Sequence, residues 1–244
     1  MGYIADLIGY HSVADASTLT LDSNGHVSEW RARDGSTILR QPTAANRPPY
    51  SASVASIGDK PALVMTADSR MEFTTPGVFP QDAMGHTILL LYRGTVQKQN
   101  GLILPWGSGA GPWRLAGYGN GGTNTWAAMP LGDHNSTNSA LNVTSLMVHT
   151  MASGPNPVST HYVNGGAGQT KSFSGSPTNG ATAASIGWTT FYDVINAEGV
   201  ILEAVAVLNG VLSTSDRHDA EAIMAYEHKQ QALIGSPIRP TVPA

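Results

Sequence analysis

Trp106, Trp113, Tyr118 and Trp126 cluster in a Gly-rich stretch and are followed closely by Asp133 and Asn135. This combination suits sugars. The C–H face of a pyranose packs on an aromatic ring, while its equatorial hydroxyls hydrogen-bond to planar amide and carboxylate groups. These six residues are the candidate glycan-binding set. The competing role for each ring is core packing, because large aromatics are usually buried wholly or in part.

Other chemistries leave weaker traces. Glycoside hydrolysis requires two carboxylates on one cleft. The sequence has no E-x-D-x-x-E pattern, and Glu198 and Glu203 lie five residues apart, so on one strand they would point to opposite faces. G-x-S-x-G is missing as well. No catalytic residue is assigned, although a hydrolase or lyase stays open because active-site carboxylates can come from distant strands, with Glu203 and Asp133 the groups to replace. Gly117 to Gly122 matches G-x-G-x-x-G, but a Thr/Asn/Trp strand-like segment follows where a dinucleotide site needs a helix, so it reads as a turn. The eight histidines show no H-E-x-x-H spacing, and His149 and His161 fall on expected strands, as structural imidazoles do. Gly132-Asp133-His134-Asn135 and Asp22-Ser23-Asn24-Gly25 are oxygen-rich turns of the type that holds Ca²⁺. Neither has the spacing of a dedicated calcium loop, and Asp and Asn favour turns for their own backbone-mimicking hydrogen bonds. No metal or cofactor is assigned.

Composition narrows the partners. Charged residues make up 12% of the 244-residue chain, about half the usual share, so surface polarity must come from Ser, Thr, Asn and Gln. With 13 basic and 17 acidic residues the net charge is −4, which offers no field to hold a phosphate backbone, and nucleic acid is excluded as a partner. Cysteine is absent, which removes disulfides, thiolate zinc sites and cysteine nucleophiles. No apolar run approaches the ~20 residues of a membrane helix, and Met1 to Tyr10 lack a signal peptide's basic and apolar regions. A soluble protein made without a cleaved leader is expected.

The elements that must position the candidate residues are short strands. Between Leu19 and Val207, apolar segments are punctuated by Gly, Pro, Asn, Asp and Ser, the pattern of an all-β sandwich. Strands are expected at 19–21, 27–31, 62–65, 71–73, 86–92, 101–104, 113–115, 125–129, 145–152, 161–163, 184–186 and 200–208. The unbroken run Thr87 to Tyr92 predicts a central strand covered on both faces. Asn164-Gly165 predicts a hairpin turn, and Gly117 to Thr125 and Ser172 to Thr182 read as long turns. One surface helix follows Ser213, which caps it with Asp216 at the third helical position; Ala220, Ile223 and Met224 form its apolar face, and Gly235 and Pro237 end it. Residues 1–235 form one domain, and the Pro-rich 236–244 forms an extended arm able to reach a neighbouring subunit.

Several segments together resemble the concanavalin A-like lectin/glucanase (laminin G-like) jelly roll. They are Val27 and Trp30, Asp34-Gly35-Ser36, Gln41 to Pro48, Pro61 to Val64, Tyr162 to Gly165, Ser185 to Gly187, Leu202 to Leu208 and the helix carrying Asp216-Arg217, Glu221, Tyr226 and Lys229. The resemblance covers about Leu19 to Leu233. It implies an all-β, two-sheet antiparallel β-sandwich with one C-terminal surface helix. It also marks Trp30, Arg47 and Glu203 as structural family positions, with Glu203 a structural carboxylate and Arg47 tied to an acid such as Asp34 or Glu203.

Domains of this kind occur in tailed bacteriophages, adhesins and carbohydrate-binding modules. The first expectation is a non-catalytic virion surface protein, as head decoration or tail receptor-binding component, made in the host cytoplasm. Its partners would be other virion proteins, copies of itself in a trimer, and a host surface glycan. The alternative is a free or cell-surface carbohydrate-binding module exported by a leaderless route.

Overall fold

The computed structural model describes residues 7–74, 85–95, 114–120, 123–129, 136–154, 156–172, 185–187 and 198–235. Its strands in chain order are β1 (Leu7–Ser12), β2 (Leu19–Leu21), β3 (Val27–Arg31), β4 (Ile38–Arg40), β5 (Tyr50–Val54), β6 (Lys60–Val64), β7 (Arg70–Phe73) and β8 (His86–Gly94). After these come β9 (Arg114–Asn120), β10 (Thr123–Met129), β11 (Ser136–Ala140), β12 (Thr144–Met151), β13 (Val158–Val163), β14 (Gln169–Ser172), β15 (Ser185–Gly187) and β16 (Val200–Asn209). The helix α1 spans Thr214–Glu227. The expected strand at 101–104 and the arm at 236–244 lie outside the described residues.

All described pairings are antiparallel. An eight-stranded sheet runs β14-β13-β12-β8-β16-β6-β5, with β1 also on β16; a five-stranded sheet runs β15-β7-β4-β3-β2. The fold is the expected β-sandwich, with one addition, a separate three-stranded sheet β11-β10-β9. The stretch at 117–125, expected to be a turn, is mostly strand: β9 and β10 pair in continuous register from Arg114 with Met129 to Asn120 with Thr123. Gly and Asn have poor strand propensity, but a paired neighbour overrides it.

The central strands show why the sandwich needs cover on both sides. β8 and β16 are buried along almost their whole length. Ile88, Leu90 and Tyr92 face one core with Trp30, Leu39 and Met71 of the smaller sheet. Leu89 and Leu91 face a second core with Ala220, Met224 and Ala225 of α1. Each large apolar side chain fully buried this way contributes about 1.5–3 kcal/mol.

β16 carries a bulge. Its register with β8 jumps from Leu202 opposite Tyr92 to Ala204 opposite Leu91, leaving Glu203 as the extra residue. The bulge inverts the inside–outside parity, so Val200 and Leu202 before it and Val205 and Val207 after it face the same core. The far edge of β16 divides at the same point: Ile201 and Leu202 pair with β6, and Ala204 to Leu208 pair with β1.

At the start of α1, the Ser213 hydroxyl accepts from the Asp216 amide at 3.1 Å and donates to the Asp216 carboxylate at 2.7 Å. The helix stops at Glu227, earlier than Gly235 would suggest; a separate 3-10 turn, Gln231–Ile234, intervenes, and Gly235 caps that. Asn164 and Gly165 both have positive φ, as a primed turn requires, and the hairpin β13–β14 follows.

Candidate functional site

Two of the six candidate glycan-binding residues fall on the three-stranded sheet. Tyr118 lies on β9 opposite Thr125, and Trp126 lies on β10 opposite Gly117. Opposite residues share a face of the pleat, so the two aromatic positions belong to alternate faces. Trp106, Trp113, Asp133 and Asn135 lie outside the described residues. β11 pairs with β10 and rests against β13 and β14, which sets this small sheet over one flank of the large one.

That flank of the large sheet is polar. His149 and His161 sit opposite each other on β12 and β13, both fully buried, with Nδ1 of His149 and Nε2 of His161 3.1 Å apart. His161 Nε2 also lies 3.1 Å from the Ser159 hydroxyl, and the His86 ring is 5.4 Å from that of His149. His149 and His161 are interior groups hydrogen-bonded across strands, and His86 is buried beside them. Among the described residues, no group of three or more His, Cys, Asp or Glu side chains is arranged to hold a metal ion.

The three positions marked by the resemblance are interior or tied to turns. Trp30 is fully buried in the inter-sheet core, where its ring meets His11 edge-on at 5.4 Å. Glu203 is fully buried, and its carboxylate accepts from Gln230 Nε2 at 3.1 and 3.4 Å, with His228 Nδ1 at 3.5 Å. Arg47 departs from expectation in its partner. Its Nη1 donates to Asp22 at 3.1 Å, while Nε and Nη2 donate to the Gln41 and Pro42 carbonyls. Neither Asp34 nor Glu203 is involved, because Glu203 faces the end of α1 and Asp34 accepts from Ser36 in its own turn.

Asp22 also accepts from the His26 and Asn24 amides, and these bonds, led by that to His26, hold its carboxyl below the ordinary range. The oxygen-rich turn is thus used for the chain's own amides.

One charged group escaped sequence reasoning. Glu29 on β3, largely buried, accepts from Nε of Arg40 at 2.7 Å and from Nε of Arg31 at 2.6 Å. The Arg40 bond is the main reason its carboxyl is held below the usual value. The signal was present in Asp34-Gly35, the turn that brings β4 back beside β3 so that Arg40 lands opposite Glu29.

No family model matches the chain, and none of the curated proteins matches it at a significant level. Solved structures do share its fold. The binding domain of Paraclostridial Mosquitocidal Protein 1 aligns with a TM-score of 0.59 at 12% identity, over 90% of this chain and 52% of that one. Domain 4 of AbnA, a GH43 extracellular arabinanase from Geobacillus stearothermophilus solved in complex with arabinotriose, aligns at 0.53 and 14%, over 88% of this chain and 97% of the domain. A Trypanosoma rangeli sialidase aligns at 0.54 and 15%, over 96% of this chain and 34% of the enzyme. The chain therefore spans about half of the toxin binding domain and a third of the sialidase. At these identities the likeness establishes the β-sandwich fold alone. Among the described residues, no helix is long and apolar enough to cross a membrane.

Proposed function

We propose that this chain is a non-catalytic glycan-binding domain. The observation that carries this is the alignment to nearly the whole of the arabinanase domain solved with arabinotriose, so that the shared unit is a complete sandwich. The register of the adjacent small sheet gives each of its faces one aromatic position, Tyr118 or Trp126, and a sugar platform on either face would use one of them.

Four buried or half-buried glutamates support binding over catalysis. Glu29, Glu203, Glu221 and Glu227 are each held by arginine, tyrosine, amide or imidazole groups of the fold itself. A hydrolase would instead keep two acids open on one cleft. The narrower virion-surface role draws no support from the neighbours named above, and co-sedimentation with purified particles is its own test.

The test of the glycan reading is a saccharide panel titrated by calorimetry. The full chain should bind at least one neutral or acidic oligosaccharide, and Ala at Trp106, Trp113 or Trp126 should weaken that binding tenfold or more with the circular dichroism unchanged. Absence of binding across the panel, or binding indifferent to all three replacements, would overturn it.

A further inference from the structure

The outer face of the five-stranded sheet carries a second arrangement, remote in sequence from the aromatic set. Thr20, Glu29, Arg40 and Glu72 lie opposite one another across β2, β3, β4 and β7, and Arg31 lies beside them opposite Ile38. Glu29 anchors both Arg31 and Arg40, and it does so through their Nε atoms. The Nη groups of both make no hydrogen bond to the described residues, and the two side chains are 57% and 56% exposed. Two guanidinium groups are thus pinned by one edge, with their terminal donors turned to solvent.

A surface arginine ordinarily loses side-chain entropy when it grips a ligand. Here the anchoring bond already restricts both side chains. The donors that remain suit a planar acceptor, since a guanidinium edge meets a carboxylate with two parallel hydrogen bonds. Charge selects in the same direction. Two guanidinium charges and one carboxylate leave a net +1 at the triad, which matches a monoanion better than a dianionic phosphate. Glu72, opposite Arg40, is paired with Arg70 at 2.8 Å, so these two charges cancel and the net +1 of the triad stands. Thr20 and Ile38 flank the triad with a hydroxyl and an aliphatic surface.

We infer that Arg31 and Arg40, held by Glu29, form a subsite for the carboxylate of an acidic sugar such as a uronic or sialic acid. The inference rests on the glycan-binding reading and adds a ligand class to it.

The experiment compares carboxylated oligosaccharides, namely galacturonate, glucuronate and sialic acid types, with their methyl esters, which keep the rings and remove the charge. At low salt the full chain should bind at least one acid about tenfold more tightly than its ester, the equivalent of about 1.4 kcal/mol. The difference should shrink as salt is raised. The double variant R31Q/R40Q should erase the preference for the acid while leaving the affinity for the ester. E29Q separates a built site from a simple positive field: removing a negative charge should strengthen binding in a simple field, whereas losing the anchor should weaken it. Weaker acid binding by E29Q is expected.

Equal binding of every acid and ester, an acid preference that survives R31Q/R40Q, or tighter acid binding by E29Q overturns the inference. A preference for sulfated over carboxylated sugars does so too. Each of these leaves the glycan reading in place if any saccharide binds; binding of no saccharide at all ends both. Thermal unfolding of each variant confirms that the fold persists.

Discussion

The carboxylate of Glu203, on the bulge of the central strand, accepts from the side-chain amide of Gln230, just beyond the C-terminal end of α1. His228, the residue that closes the helix, lies against the same carboxylate and reaches Ser12 of β1 through its other ring nitrogen at 2.9 Å. One acid thus joins the bulge, the helix end and the first strand.

Replacing Glu203 by Ala should therefore act on stability. It strands buried donors of Gln230 and His228, and the expected loss is about 2–4 kcal/mol in urea unfolding. Saccharide affinity of the folded fraction should not change. A loss below about 0.5 kcal/mol would show that the acid is dispensable to the fold.

His11 should make stability fall with acid. It is fully buried between Trp30 and Phe73 and hydrogen-bonded to Thr37 at 3.0 Å. Burial lowers its pKa from 6.5 to about 3, opposed in part by a hydrogen bond to the Trp30 backbone and then by the Asp34 charge. Between those values the unfolded chain takes up a proton that the native chain refuses. Stability from this group is therefore complete above pH 6.5 and falls by about 1.4 kcal/mol for each unit below it, until the folded pKa is reached. Urea midpoints measured from pH 7 to pH 4.5 should fall less steeply for His11→Leu than for the wild type. Equal slopes would contradict the assignment.

Arg217 and Glu221 form a buried pair one helical turn apart, with Nη1 of the arginine 2.9 and 2.8 Å from the two carboxylate oxygens and its guanidinium 3.9 Å above the Tyr162 ring. Burial raises the Glu221 carboxyl and Arg217 partly offsets this. Arg217→Ala should cost about 3–5 kcal/mol by leaving a buried acid unpaired, whereas R217M/E221L should come within about 1 kcal/mol of the wild type. Additive losses in this double-variant cycle would show that the pair is not coupled.

How much of this was readable in advance follows from what each segment must do alone. β2 and β3 are bounded by turn residues and their limits are those expected, but the bulge at Ser28 that lets Val27 and Trp30 share one core could not be read from the sequence. β8 announces itself by an apolar run that only a doubly covered strand tolerates. β14, with Gln169, Thr170, Lys171 and Ser172, has no apolar face to find, because it is an edge strand held by backbone bonds to β13. β1 hides behind Gly9 and the polar His11 and Ser12, whose burial depends on partners more than twenty residues away. The choice of Asp22 as partner for Arg47 was equally out of reach, since three acids were chemically equivalent until the strands were placed. Trp106, Trp113, Asp133 and Asn135 fall outside the described residues, and of the aromatic set only the strand register of Tyr118 and Trp126 can be compared with expectation.

The division of β16 between two neighbours has a consequence for biosynthesis. The strand that completes its edge, β1, is made before every other described element of the sandwich, and β16 after every other described strand. Until then Leu89 and Leu91 of β8 lack their helix, and one side of β8 is an open template for any extended peptide. Such long-range closure is slow, so the nascent chain passes through an interval in which a chaperone able to shield β8 would govern its yield.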